Sequence, residues 1–562
     1  MNIRFLGGVK GVTGSCHLIE FKDKKILLDC GMFQGKDEDL NLEEFEINPS
    51  EVDYLFLSHS HIDHSGRIPL LVKRGFKGII YSTKPAYELC QIMLVDSAHI
   101  QETEAEWKNK KAKRTGRALV EPMYTQQDAM DSFKYFKPVL YEQLIDVNET
   151  ITICFKDAGH ILGSAIIEMW FKDDDNTMKL VFSGDLGMDG EPLLKDPYII
   201  DKADYLIMEA TYGNRIHQNV EQRTEELIEI ILKTIKRGGN VIIPSFAVGR
   251  TQQLIYELNK YYDKKCKING SENLLSKIHV YVDSPLATKA TEIFKQNVNV
   301  FDEEAKEFLF NGDHPLQFEN LHFTQSAEES KELNISREPK VIISASGMCE
   351  AGRIKHHLKH NLWRKESSIV FVGYQAEGTL GRKIVEGEKI VKVLGEEIRV
   401  AAEIHNLEGF SGHADKLALI KWLKGFKEKP KKVFVVHGEA QSKVDFAAEI
   451  TKELGINAIV PVYDHLYTIK TYKENEEKTE DTEDIVSEVE EIALDVSPNK
   501  MSDNLLSDTE KLKNVFNEAI ISAEKYLNKE SLSLEDYKKI KNRILELEQD
   551  IISLTSMSIN NK

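Results

Sequence analysis

Residues Leu55–Pro69 read LFLSHSHIDHSGRIP. A short apolar run gives way to three histidines and a carboxylate within six positions: His59, His61, Asp63 and His64. Imidazole nitrogen and carboxylate oxygen are ligands that zinc takes, and a catalytic ion keeps one position open for water. Residues two apart at a strand's end point the same way, so His59 and His61 can share an ion. Asp63 and His64, on the turn beyond, can face a neighbouring ion. A lone histidine is ordinarily a packing or surface residue; four ligand-type residues in six positions, after a strand and before Gly66, are a metal site. They cannot complete two coordination spheres, so other ligands must arrive from other strand ends.

Three places supply them. His160 sits in DAGHILGS, Asp185 ends a strand in LVFSGDLG, and His437 ends another in VFVVHGE. A shared carboxylate is a usual way to hold two ions about 3.5–4 Å apart in two-metal hydrolases, and Asp185 suits that place. The expected cofactor is two Zn2+ ions per chain.

Composition sets the background. The 562 residues suffice for roughly three to four average domains, and 41% hydrophobic with 29% charged residues is ordinary for a soluble globular chain. No run of eighteen apolar residues offers a membrane span, and the start, MNIRFLGG, lacks a signal peptide's apolar stretch. Six scattered cysteines (Cys16, Cys30, Cys90, Cys154, Cys266, Cys349) form no C-x-x-C pair, which suits free thiols in a reducing cytosol. The expected location is cytoplasmic, with no membrane partner. The net charge is −19, but Lys473–Val496 alone holds eleven acids against two lysines. Binding depends on local patches rather than global charge, so nucleic acid is not excluded.

Along the chain the style changes twice. Residues 1–212 read as short apolar strands ended by turn residues (Ile3–Gly7, Lys25–Asp29, Asp53–Ser58, Lys179–Ser183, Tyr205–Met208), with one polar helix at Ala86–Arg114. From about Arg215 strands alternate with helices: Glu221–Arg237, Asn240–Ile243, Thr251–Tyr262, His279–Val282, Leu286–Gln296, Lys340–Ser344, Glu350–Leu362, Ser368–Val372. That alternation predicts βαβ units and a parallel sheet over residues 213–388. Paired strands return at Lys389–Leu394 and Glu397–Ile404, followed by helix Leu417–Phe426 and strand Lys432–Val436. One style interrupted by another reads as an α/β domain inserted into a first domain, 1–212 and 389–472. Residues 473–507 read as an acidic linker. Residues 508–562 read as a helical extension, two amphipathic helices suited to docking or homodimerisation.

The run H-x-H-x-D-H-x-G resembles the signature of the metallo-β-lactamase superfamily, which implies an αββα sandwich. Asp29, in LLDCG, matches its first motif, a carboxylate that steadies the ligand loop without touching the metal. His160 and Asp185 match its third and fourth motifs. The resemblance implies that His59, His61 and His160 hold one zinc and Asp63 and His64 the other, with Asp185 between them. Glu209 in IMEATYGNRIH, His413 in GFSGHADKLALIKWL and His437 in VVHGE resemble motifs A, B and C of the β-CASP branch, whose members cleave nucleic acids and carry an inserted α/β domain. Histidine at motif C is similar to the RNA-cleaving members. PSFAVGRTQQLIYEL, SASGMCEAGR and VGYQAEGTLGR look like the subgroup containing the endonuclease subunit of the pre-mRNA cleavage and polyadenylation machinery and its prokaryotic relatives. The resemblance covers roughly residues 1–470.

The expected activity is a metal-dependent phosphodiesterase acting on single-stranded RNA. A metal-bridging hydroxide, in which Asp63 and Asp185 take part through the ions, attacks phosphorus; His413, oriented by Glu209, protonates the leaving oxygen. The products would be 5′-phosphate and 3′-hydroxyl ends. A catalytically silent RNA-binding scaffold and a small-molecule metallohydrolase are the alternatives. For RNA contact, strand ends before helix N-termini point to Ser245 with Arg250 and to Arg353, and Arg382 and Ser411 join them as candidates. His356 and His360 lie on a helix face that reads either as solvated or as a phosphate contact, His405 as a supporting or packing residue, and His217 as an RNA contact without further support.

Overall fold

The computed structural model describes residues 1–174, 176–217, 222–263, 277–310 and 314–469, all within the first of two compact units, which runs Met1–Lys473. The acidic linker and C-terminal helices expected at 473–562, and with them the expected dimer contact, lie outside the described residues. Among the described residues no helix is long and apolar enough to cross a membrane.

Two seven-stranded sheets stack face to face. The first runs in spatial order Leu466–Thr468, Asn2–Phe5, His17–Phe21, Lys24–Leu28, Tyr54–Phe56, Ile79–Thr83, Phe136–Val139; the second runs Asn457–Ile459, Lys432–Val436, Tyr205–Glu209, Asn176–Phe182, Ala165–Asp173, Ile151–Asp157, Ile145–Asn148. Side chains alternate across a strand, and here both sides are apolar. From Ala165–Asp173, Ile167, Met169 and Phe171 enter the core between the sheets, where Phe5, Ile26, Leu28 and Phe56 meet them. Their neighbour Ile166 turns outward to the helices Lys416–Lys424 and Ala440–Leu454, which present Leu419, Trp422, Phe446 and Ile450. On the far side Leu27, Leu55 and Leu57 meet Leu71, Cys90 and Leu94 from helices Ile68–Lys73 and Lys84–Thr115. The result is the helix–sheet–sheet–helix order that the resemblance implied.

The inserted region builds a six-stranded sheet, parallel in every pair: Leu321–Phe323, Val280–Val282, Val341–Ser344, Val241–Pro244, Ser368–Phe371, Glu403–Asn406. Strands VIIP, VIIS and SIVF are buried throughout, as expected where helices cover both faces. Ile243 and Ile343 pack on helices Arg223–Lys236 and Arg250–Asp263, whereas Ile242 and Ile342 pack on Ile354–Asn361 and Leu380–Val385.

Three expectations need correction. The inserted sheet takes a strand beyond residue 388, since Glu403–Asn406 pairs with Ser368–Phe371. The hairpin read at 389–404 shrinks to Ile390–Val393 with Glu396–Arg399, because the edge strand that follows needs only one apolar residue, Ile404, and looked like more of the same. The helix expected from Glu350 begins at Ile354; Gly352 at φ +79° turns the chain in a way a helix does not allow. His59 and His61 lie beyond the strand, which ends at Phe56, and a single helical turn, Ile62–Ser65, carries Asp63 and His64.

A buried charge cluster ties insert to sandwich. Glu191, from the sandwich, accepts from Arg223 Nη1 at 2.6 Å and from Gln253, with Arg250 Nη1 at 4.0 Å. Arg223 also donates to Gly409 O at 2.5 Å and lies over the Phe410 ring. Burial pulls the Arg250 guanidinium down to about 10. Removing one member of a buried pair strands the other, at a cost of about 3–5 kcal/mol. Glu191→Leu should therefore lower the urea midpoint by an amount equivalent to about 3–5 kcal/mol; an unchanged midpoint would mean that Arg223 and Arg250 gain nothing from this carboxylate.

Candidate metal centre

Strand ends converge on one spot, as in open α/β sheets, where ligands gather beyond the carboxyl ends. Asp29 follows Lys24–Leu28, His59 follows Tyr54–Phe56, Asp185 follows Asn176–Phe182, Glu209 ends Tyr205–Glu209, and His437 follows Lys432–Val436. His160 comes from the loop after Ile151–Asp157. The expected ligands fall into two groups whose donor atoms lie within 4.8 Å of one another: His59, His61, His160 and Asp185, and then Asp63, His64 and His437. A third group of the same closeness joins Asp185, Glu209 and His413.

In the first group His61 Nδ1 lies 3.1 Å from His59 Nε2 and 3.2 Å from His160 Nε2. In the second, His64 Nε2 lies 3.0 Å from His437 Nε2, and Asp63 Oδ2 is 3.5 Å from His437 Nε2. Asp185 faces both. Its Oδ2 lies 3.5 Å from His59, 3.6 Å from His160 and 3.2 Å from His64, and its Oδ1 lies 3.5 Å from His437. Asp185 thus adjoins both groups of donors.

Hydrogen bonds on the outer side of four of the five ligand rings, all but His61, fix which nitrogen points inward. His64 Nδ1 donates to Asp29 Oδ2 at 2.7 Å, and His160 Nδ1 donates to Gly412 O at 2.9 Å. Ser58 Oγ donates to Asp29 Oδ2 at 2.9 Å and so accepts from His59 Nδ1 at 3.0 Å. Thr211 Oγ1 donates to His437 O at 3.2 Å and accepts from His437 Nδ1 at 3.1 Å. Four rings thus turn Nε2 to the centre. In neutral rings this sets lone pair against lone pair, an arrangement a shared cation resolves. Burial favours neutral rings at His59 and His160, holding both well below the ordinary histidine range, and brings His61 to about 4. Burial also opposes charge at His64, but Asp185, Asp29 and Asp63 outweigh it and hold that ring well above its ordinary value. Burial would raise Asp63, but His64 and His437 bring it down to about 2. His61 Nε2 and Asp185 Oδ1 are buried without a hydrogen-bond partner. Imidazole nitrogens with carboxylate oxygens in two adjoining sets fit a pair of zinc-like ions.

Beside this cluster His413 Nδ1 lies 3.4 Å from Glu209. Glu209 is fully buried and accepts from Leu186 N at 2.6 Å and Thr211 N at 3.3 Å. Burial opposes charge on His413, but Glu209, Asp185 and Asp63 outweigh it and raise its pKa.

The residues named for RNA contact are engaged within the chain. Ser245 is buried and accepts from Thr251 Oγ1 at 3.0 Å. Arg250 sits in the Glu191 cluster, Arg353 bonds Asp283 at 2.7 Å, and Arg382 bonds Glu386 at 2.6 Å. Ser411 is buried, its Oγ 3.4 Å from His413 N. His217 supports the His413 loop, its Nε2 donating to His413 O at 3.1 Å. His405 lies 3.5 Å from Glu403, and His356 and His360 are exposed. Reading residue types missed Ser58, Thr211 and Gly412. Ser58 and Gly412 stand next to named residues and Thr211 two after one, which is the one signal available.

Outer partners of metal-binding histidines typically tune affinity by about 10–100-fold. Asp29→Ala should weaken metal retention by about that factor, read by competition with a chromogenic chelator; retention equal to the unsubstituted protein would mean that Asp29 does not orient His64.

Family models match along the chain. The "Metallo-beta-lactamase superfamily domain" covers residues 18–201, the "Beta-Casp domain" 251–384, and the "Zn-dependent metallo-hydrolase RNA specificity domain" 397–461. Ribonuclease TTHA0252 of Thermus thermophilus is 35% identical over 441 residues, 78% of this chain and 94% of its own length. The transcription termination factor FttA of Methanocaldococcus jannaschii is 32% identical over 475 residues, 82% of this chain and 70% of its own. FttA of Methanosarcina mazei is 31% identical over 471 residues, 81% and 70%. The chain belongs to the β-CASP ribonuclease family of the metallo-β-lactamase superfamily.

Proposed function

We propose that this chain is a zinc-dependent ribonuclease that hydrolyses phosphodiester bonds of single-stranded RNA, leaving 5′-phosphate and 3′-hydroxyl ends. The observation that carries the reading is the adjacency of two ligand sets sharing Asp185 to the His413–Glu209 pair. His59, His61, His160 and Asp185 would hold one ion, and Asp63, His64, His437 and Asp185 the other. When bound, the ions supply Lewis acidity toward the phosphate and lower the pKa of a water that serves as nucleophile.

The chain's own groups do the rest. Asp29, Ser58, Gly412 and Thr211 keep the ligand nitrogens aimed inward. His413 is held by the Glu209 carboxylate, which favours its protonated form, so it can give a proton to the departing 3′ oxygen. Leu186 N and Thr211 N hold Glu209 in place for that task. The match to an RNA specificity domain over 397–461 and the relative named a ribonuclease support RNA as substrate. Free buried thiols at Cys16, Cys30, Cys90, Cys154 and Cys349 support a reducing, cytoplasmic setting.

Zinc-loaded protein is to be tested on end-labelled single-stranded RNA, DNA and a lactam. RNA should be cut, and cutting should stop on chelation and return with added zinc. Cleavage no faster than that of an Asp63→Ala, His64→Ala double variant would end this reading. A positioned general acid contributes about a hundred- to ten-thousand-fold. His413→Ala should lower kcat by about that factor while bound zinc, read by atomic absorption, stays the same. Lost zinc would make His413 a ligand instead.

A further inference from the structure

We propose that Phe246 is a stacking platform for a nucleobase of the strand held at the metal centre, a subsite distinct from the ligands and from the His413–Glu209 pair. The proposal rests on the RNA reading above and deepens it. Phe246 follows the buried inserted strand Val241–Pro244 and faces the centre: its ring lies 6.1 Å from the His61 ring at an interplanar angle of 45°. The backbone on either side is anchored, with Ile243, Ala247 and Val248 in the apolar core of the insert. Yet the Phe246 ring belongs to none of the apolar cores and remains partly exposed. A large aromatic side chain of this kind ordinarily buries its surface in such a core.

Two glycines make room for the ring. A side-chain carbon at Gly347 would come within 2.8 Å of Phe246 Cδ2, and one at Gly373 within 3.4 Å of Cε2. Both glycines lie beyond neighbouring strands of the same sheet, Val341–Ser344 and Ser368–Phe371. The ring edge is thus held in a slot of bare backbone beside a proposed ligand. A phosphate held by these ligands would have its own base one ribose away, within reach of a ring that neighbours His61. Stacking on an aromatic ring suits single strands of any sequence, because every base has a π face. It also needs no charge, which fits an insert whose Arg353 and Arg382 are held by Asp283 and Glu386.

The experiment uses RNAs with one fixed cleavage site and a single abasic nucleotide moved along the strand, with zinc-loaded protein and the variants Phe246→Leu and Phe246→Tyr. Alanine-type removal of a stacking partner weakens binding by about ten- to a hundred-fold per base. In the unsubstituted protein one abasic position next to the scissile bond should raise KM by about tenfold, with kcat little changed. Phe246→Leu should show that higher KM on intact RNA and no further rise with the abasic strand; Phe246→Tyr should restore the original profile. A second readout does not depend on cleavage: 2-aminopurine at that position should be quenched on binding and should stay bright with Phe246→Leu. The proposal is overturned if Phe246→Leu keeps the original abasic profile, if no position is quenched, or if the variant loses zinc and kcat together. Quenching without cleavage would leave the platform standing and remove the ribonuclease reading instead.

Discussion

The structure depends on how each imidazole divides its two nitrogens. Neutral histidine has one N–H and one lone pair, and the ring's outer partner decides which faces the centre. Asp29, Ser58, Gly412 and Thr211 take the Nδ1 side of His64, His59, His160 and His437. Where those rings are neutral, the remaining lone pairs converge and, without a cation, repel; at His64 the carboxylates of Asp185, Asp29 and Asp63 favour a proton instead. Two sheets, their outer helices and the packing between them supply the stiffness to hold rings in a geometry they would not choose alone. Asp29, at φ +58°, shows the local strain this requires.

The insert acts on the same centre from the other side. Arg223 and Arg250 come from the insert, Glu191 from the sandwich, and Gly409 and Phe410 from the segment leading to His413. Gly412, in the same segment, receives the His160 hydrogen bond. The loop that carries the proposed proton donor is therefore clamped both by a buried ion cluster and by a proposed metal ligand, His160. Because the partners are buried, water screens the cluster little, so tilting the insert would be felt at His413.

Much of this was legible because the chemistry is dense in sequence. His59, His61, Asp63 and His64 fall within six positions, and Asp29, Asp185, Glu209 and His437 each end or follow an apolar run that reads as a strand. The sheets were legible for the same reason: VIIP, VIIS and SIVF can only be buried. What stayed hidden depends on distant parts of the chain. Glu191 in MDGEPLL carries no local mark; its meaning comes from Arg223 and Arg250. Phe246, between a proline-ended strand and a helix, reads as one more core aromatic until the two glycines opposite it are seen. The strand read as Glu397–Ile404 hid the inserted sheet's edge strand Glu403–Asn406, because an edge strand with one half-buried apolar residue, Ile404, has almost no periodic signal.

The order of the ligands along the chain has a consequence for biosynthesis. His59 to Asp185 supply the first ligand set within the opening third of the chain, but His413 and His437 follow the entire insert. No growing polypeptide that ends before residue 437 contains the complete proposed set. A ribosome translating this protein's own message therefore holds an incomplete centre throughout synthesis of the insert, and the proposed set can close only after His437 has been added.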